Sequence, residues 1–191
     1  MCYPPRSTLF STFLFIYFFI TPPAHATLVT FENLPDNLSL SNEIPGALFS
    51  RATILTAGIS LNEFDFPPKS GDNVAAALGG LMEITFSSLI DMVSGYFSYS
   101  DPLTLSIYNA NGNLLTSIQS AGTSNLGGNE LISLSSQGIA MLRINSDNHF
   151  TLDDLSYNTT SIPEPATTFL FVIGAMMIGA MRSARTHTRS L

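Results

Sequence analysis

"LTLSIYNANGNLLTSIQ", Leu103 to Gln119, is the stretch on which the reading of this chain turns. Leu103, Leu105 and Ile107 fall on one side and Thr104, Ser106 and Tyr108 on the other, which is the period of a half-buried strand. Asn111-Gly112 follows, a pair able to take the positive φ values of a type I′ hairpin turn. The run that carries Leu114, Thr116 and Ile118 is then the antiparallel partner.

The same alternation repeats outward from this hairpin. Strands are expected at "LVTFEN", "ALFSRATIL", "NVAAAL", "MEITFSS", "MVSGYFSYS", "ELISLS", "IAMLRINS" and "FTLDDLSY", with Gly, Asn, Asp and Pro between them. "SSLIDMVSG" is the nearest approach to an amphipathic helix, and Gly95 with its β-forming neighbours cuts it short. About ten strands over roughly 135 residues predict an all-β fold, an antiparallel jelly-roll-like β-sandwich over residues 27–160. A domain of that size buries a core without cross-links.

The two ends are of another kind. One arginine, Arg6, precedes the apolar run Leu9 to Ile20, which is too short to span a bilayer and has the length of a signal-peptide core. Pro22 and Pro23 end any helix there, and Ala24 and Ala26 offer the small side chains that a signal peptidase accepts. Residues 1–26 are therefore expected to be removed on export, and the only cysteine, Cys2, leaves with them. The exported chain then has no disulfide, and its stability must come from packing or bound ions.

Residues 161–191 begin with Pro163-Glu164-Pro165 and continue into Ala166 to Met181, an uncharged run that rises about 24 Å as a helix. The run has no polar face, so a transmembrane helix over 166–181 is expected, with Gly174, Ala175, Gly179 and Ala180 making a small-residue face. Arg182, Arg185 and Arg189 follow, and positive charge on that side holds the C-terminus in the cytoplasm.

Charge and chemistry narrow the function classes. Between Thr27 and Ser161 thirteen acids stand against Arg51, Lys69 and Arg143, a balance that repels phosphate backbones and excludes nucleic acid as a partner. His149 is the sole histidine of that stretch, so neither a Ser-His-Asp triad nor a Cys/His zinc set can be built. Asp153-Asp154 or Glu63-Asp65 could be imagined as a glycosidase pair, but neighbours on a strand point to opposite faces, so Asp153 and Asp154 should not converge on one bond. No catalytic residues are assigned. Tyr96, Tyr99 and Tyr108 cluster near one another in sequence and could stack on sugar rings, or could instead be cross-strand pairs of the sheet.

The Pro163-Glu164-Pro165 motif, the short Gly/Ala-containing apolar helix and the terminal arginines together resemble the PEP-CTERM sorting tail of Gram-negative bacteria. The resemblance covers about the last thirty residues. It implies processing by exosortase, a membrane-embedded transpeptidase, and a setting of exopolysaccharide and biofilm production. The prolines suit that role because they hold the backbone extended where a protease must read it. The arginines here are interrupted, as "RSAR", and "THTRSL" lengthens the tail beyond the family's usual pattern. The region from "VTFENLP" to "FTLDDLSY" also resembles the β-sandwich carried ahead of such tails. Carbohydrate-binding modules of this architecture hold a structural calcium where terminal strands meet. That resemblance implies Glu32, Asp153 and Asp154 as calcium ligands, the alternative being that these acids are simply solvated.

The sequence thus predicts an exported, non-catalytic cell-envelope protein, anchored transiently in the inner membrane and then released to the cell surface or beyond. A glycan-binding module of the extracellular polysaccharide is the alternative reading, and a secreted glycoside hydrolase the third.

Overall fold

A computed structural model of the chain describes residues 25–122 and 128–159. The sorting motif, the C-terminal helix and its arginines, and all of the signal segment before His25 lie outside the described residues. Every element described is a strand, and every ladder between strands is antiparallel.

In chain order the strands are β1 (His25–Val29), β2 (Ser39–Leu40), β3 (Ala47–Ser50), β4 (Ala52–Thr56), β5 (Asn73–Ala77), β6 (Leu81–Tyr99), β7 (Thr104–Tyr108), β8 (Leu114–Gln119), β9 (Glu130–Asn145) and β10 (Phe150–Thr159). Hydrogen bonding runs continuously in the order β2-β4-β5-β10-β6-β9-β7-β8, with β1 added on β10 and β3 on β6. The continuity arises because β6 and β9 are long enough to serve two layers. One layer holds β2, β4, β5, β10, the second half of β6 and the first half of β9, with β1 on the second half of β10. The other holds β3, the first half of β6, the second half of β9, β7 and β8.

These layers face each other as a β-sandwich. Phe31, just after β1, meets Phe49 of β3 edge to face at 6.0 Å, and Phe86 of β6 lies 5.0 Å from Tyr157 of β10. The Tyr157 hydroxyl donates to the Pro45 carbonyl at 3.1 Å, so the buried phenol has a partner on the opposite layer.

Several expected strands join or divide. "MEITFSS" and "MVSGYFSYS" are one strand, β6, and "ELISLS" and "IAMLRINS" are another, β9. "ALFSRATIL" is two strands, because Arg51 takes a left-handed φ of 61° and passes the chain from β3 in one layer to β4 in the other. The hairpin after β7 is not type I′. Only Gly112 is left-handed (φ 78°), its N–H donates to the Asn109 carbonyl at 2.9 Å, and a register shift follows Ile107. The Asn109 side chain caps this turn by accepting from the N–H groups of Asn111 and Asn113, a local bond that asparagine makes readily.

Leu103, Leu105 and Ile107 are buried as the alternation predicts. Leu114 and Ile118 of the outermost strand β8 are exposed, and Leu115 is the residue that packs against the core. Leu105→Asp places a charge in the apolar interior and should cost more than about 4 kcal/mol, whereas half-buried Thr104→Asp should change stability by less than about 1 kcal/mol. Chemical denaturation of the two variants checks this, and the reverse order would mean that the strand is placed one residue out of register.

Candidate functional site

The outer side of the layer β3-β6-β9-β7-β8 is built by direct cross-strand partners. One row runs Ser50, Glu83, Arg143, Ser106 and Ser117. The next runs Leu48, Thr85, Met141, Tyr108 and Leu114. At the usual strand separation, five strands make a platform about 19 Å wide. Among the described residues no further layer covers it: Leu48 and Leu114 are more than half exposed, and Ser50, Thr85 and Ser117 are open to solvent.

At its centre the Arg143 guanidinium meets Glu83. Nε and Nη2 both lie 2.7 Å from Glu83 Oε1, and the side chains keep 39% and 27% of their surface. Glu83 Oε2 takes no hydrogen bond from the described residues. The same guanidinium sits 5.2 Å from the Tyr108 ring centroid, a cation–π contact that fixes its plane. The bond to Glu83 holds Arg143 above even the ordinary arginine range. Ser106 and Ser117 hydroxyls are 3.0 Å apart, and Ser117 also donates to the Leu105 carbonyl. The platform thus offers an oriented donor group, a carboxylate acceptor, hydroxyls and an apolar row side by side.

The three tyrosines singled out in the sequence do not converge. Tyr108 is on this platform. Tyr96 is half-buried on the other layer, with Lys69 Nζ 4.6 Å from its ring centroid. Tyr99 is a core residue, only 2% exposed, whose hydroxyl donates to the Glu130 carboxylate and accepts from Gly122 N–H. Burial, then the bond to Glu130, raises its phenol above the ordinary value, and it has no face to offer a ligand. Arg143 and Glu83 were missed because they are 60 residues apart and only the β6/β9 register makes them neighbours. Their one sequence signal is that each is the sole charge in an otherwise alternating strand half.

Glu32, Asp153 and Asp154 do gather, around residues 69–73 between β4 and β5. Asp153 Oδ2 accepts from the N–H groups of Lys69 (2.7 Å) and Ser70 (2.9 Å), and Oδ1 accepts from Asp154 N–H (2.7 Å). Glu32 accepts from the N–H groups of Asp72 and Asn73, and Ser70 Oγ donates to Asp154 Oδ1. Gly71 closes on Glu32 with φ 55°, and a Cβ there would fall 2.2 Å from the carboxyl carbon. The expectation that Asp153 and Asp154 diverge fails, because Asp154 is left-handed (φ 46°) at a register shift and the alternation of faces breaks between them.

A calcium ion needs six to eight oxygen donors turned toward it. Here the carboxylates of Glu32 and Asp153 are turned to N–H donors instead, and among the described residues no group of three or more His, Cys, Asp or Glu side chains converges as a metal set. As placed, these acids clasp the loop through its N–H groups and the Ser70 hydroxyl. Of the predicted signal-cleavage residues, Ala26 lies in β1 opposite Asn158, and Ala24 is outside the described residues.

No protein-family model matches the chain, and no curated protein matches it. Among solved structures, the K2 cleaved adhesin domain of Lys-gingipain is 14% identical, covering 70% of this chain and 99% of its own, at a TM-score of 0.48. CsCBM6-3 from Clostridium stercorarium, in complex with cellobiose, is 11% identical, covering 64% and 92% at a TM-score of 0.39. A family 29 carbohydrate binding module is 9% identical, covering 73% and 92% at a TM-score of 0.42.

The clasp has a signature in pH. Burial raises the Asp153 carboxyl above the usual 3.8, outweighing its N–H bonds, while the Ser60 hydroxyl, followed by Thr56 N–H, lowers exposed Asp36. Asp153 therefore favours the folded state below its unfolded pKa, a contribution lost as pH rises through the folded one. Asp36 does the opposite, contributing above its unfolded pKa and losing that contribution as pH falls through the depressed folded value. A carbon-detected NMR titration should show Asp153 with its midpoint above 3.8 and Asp36 below it.

Proposed function

We propose that this chain is an exported, non-catalytic module that binds polysaccharide across the outer side of β3-β6-β9-β7-β8, and that its fold is of the jelly-roll kind. The observation that carries this reading is the row Ser50, Glu83, Arg143, Ser106 and Ser117 beside Tyr108. A pyranose chain presents hydroxyls along its edges and apolar C–H faces above and below. A platform with donors and acceptors in one row and Leu48, Met141, Tyr108 and Leu114 in the next matches both properties. Among the described residues, the one pair of adjacent acids is engaged in the clasp around residues 69–73, which gives hydrolysis no support there.

The sequence supplies the delivery. In this reading a signal peptidase removes residues 1–26, the helix over 166–181 holds the protein transiently in the inner membrane, and an exosortase acts at Pro163-Glu164-Pro165. The ectodomain then works at the cell surface or in the extracellular matrix, among the glycans it binds.

Arg143→Ala and Tyr108→Ala should each weaken retention on immobilised polysaccharide by about tenfold or more with little change in melting temperature. Tyr96→Ala, on the other layer, should leave retention unchanged. Affinity electrophoresis against a panel of polysaccharides measures this, and equal loss with Tyr96→Ala would remove the platform from consideration. Glu164→Ala should leave the protein in the membrane fraction at full mature length in an exosortase-bearing host, and release like that of the wild type would end the sorting assignment.

A further inference from the structure

We infer that the platform selects uncharged glycans over uronate-containing ones, and that Glu83 is the residue that sets this selectivity. The inference deepens the binding reading above and rests on it. Arg143 is the only basic side chain in the rows of the platform, and an unpaired guanidinium is the natural bidentate partner of a carboxylate. Of the two edges at which a guanidinium takes a carboxylate, Glu83 Oε1 already occupies the Nε/Nη2 one, at 2.7 Å to each nitrogen. A uronate must displace Glu83 there, or stand beside its charge at the Nη1/Nη2 edge. A sugar hydroxyl meets no such opposition. It can accept from a guanidinium N–H that does not face Glu83 and donate to Glu83 Oε2, which takes no bond from the described residues.

The second reason is the field around the platform. Apart from Glu83 and Arg143, whose charges cancel, twelve acids stand against two basic residues between Thr27 and Ser161. Polyanions are repelled on approach and find no net positive charge on arrival. Tyr108 keeps the guanidinium from swinging away from Glu83, since leaving the pair also forfeits the contact with the ring, 5.2 Å from its centroid.

The test uses the full chain in a neutral, sugar-free detergent, on an array of neutral hexose oligomers beside hexuronate oligomers of equal length. The wild type should retain neutral oligomers about tenfold or more above uronates. Glu83→Gln leaves the Arg143 charge unopposed, so uronate binding should rise by about tenfold and fall again as salt is added. If Glu83→Gln does not fold, Glu83→Ser gives the same measurement. The double variant Glu83→Gln, Arg143→Gln should not gain uronate binding, which assigns the gain to the guanidinium. A wild type that binds uronates as well as neutral oligomers, or a Glu83→Gln variant with an unchanged ratio, overturns the selectivity. A wild type that retains no glycan of either class overturns the binding reading itself, so the two failures are distinguishable.

Discussion

The constraint on which this structure depends is that two strands pass through both layers of the sandwich while keeping their apolar sides inward. A strand alternates strictly, so a chain that folds over on itself must slip phase where it bends. In β6 the buried apolar side chains are Met82, Ile84, Phe86 and Ile90, then Val93, Phe97 and Tyr99, so the parity changes after Ile90. β9 makes matching slips: Ile132 and Leu134 are buried, then Ile139, then Leu142 and Ile144. The bend is secured by polar bonds. Asp91 and Met92 donate their N–H groups to Asn158 Oδ1, and Gly138, left-handed at φ 78°, donates to Asp91 Oδ1. These bonds satisfy backbone donors that the interrupted ladder cannot, which is why the bend is ordered instead of frayed.

That phase slip explains what the sequence shows and what it hides. Each half of β6 and β9 alternates cleanly, so each was legible as a strand, and so were Leu103, Leu105 and Ile107 as interior residues. The joining of the halves was not legible, because the intervening "LID" and "SQG" break the period and read as connections. Arg51 conceals the opposite event, a turn inside an apparently continuous run, since a left-handed arginine carries no compositional signal of the kind glycine gives. Asp154 is the same case with a larger consequence, because one positive φ turned two acids expected to diverge onto a single loop.

The two outer surfaces of the sandwich come to different uses from this geometry. On the layer containing β5 and β10, residues 67–73 fold back over the sheet, held by Ser98 to the Pro67 carbonyl, Asn129 to the Pro68 carbonyl, and Asp153 to Lys69 and Ser70. Two polar residues that alternation would send to solvent, Ser98 and Asp153, are thereby buried and paired. Alternation alone places a residue on a face, and it cannot say whether a loop later covers that face. Among the described residues the other layer has no such cover, and its polar rows are open.

The open face is also where charge is most sparing. Of the acids between Thr27 and Ser161, only Glu83 lies in the rows of the platform, and it is matched by Arg143. Others lie elsewhere: Asp36 on the Thr56 turn, Glu32, Asp72, Asp153 and Asp154 around the clasped loop, Asp91 at the bend and Glu130 against Tyr99. An acidic envelope resists association with other polyanions, while in the proposed binding a charge-balanced platform would take an uncharged chain without stripping water from a lone ion. Replacing the pair by hydroxyl groups would keep the platform neutral but lose the planar, ring-braced donor that, in the proposed binding, orients the ligand. The ion pair therefore supplies direction more than attraction, which is the role a weak exposed salt bridge can fill.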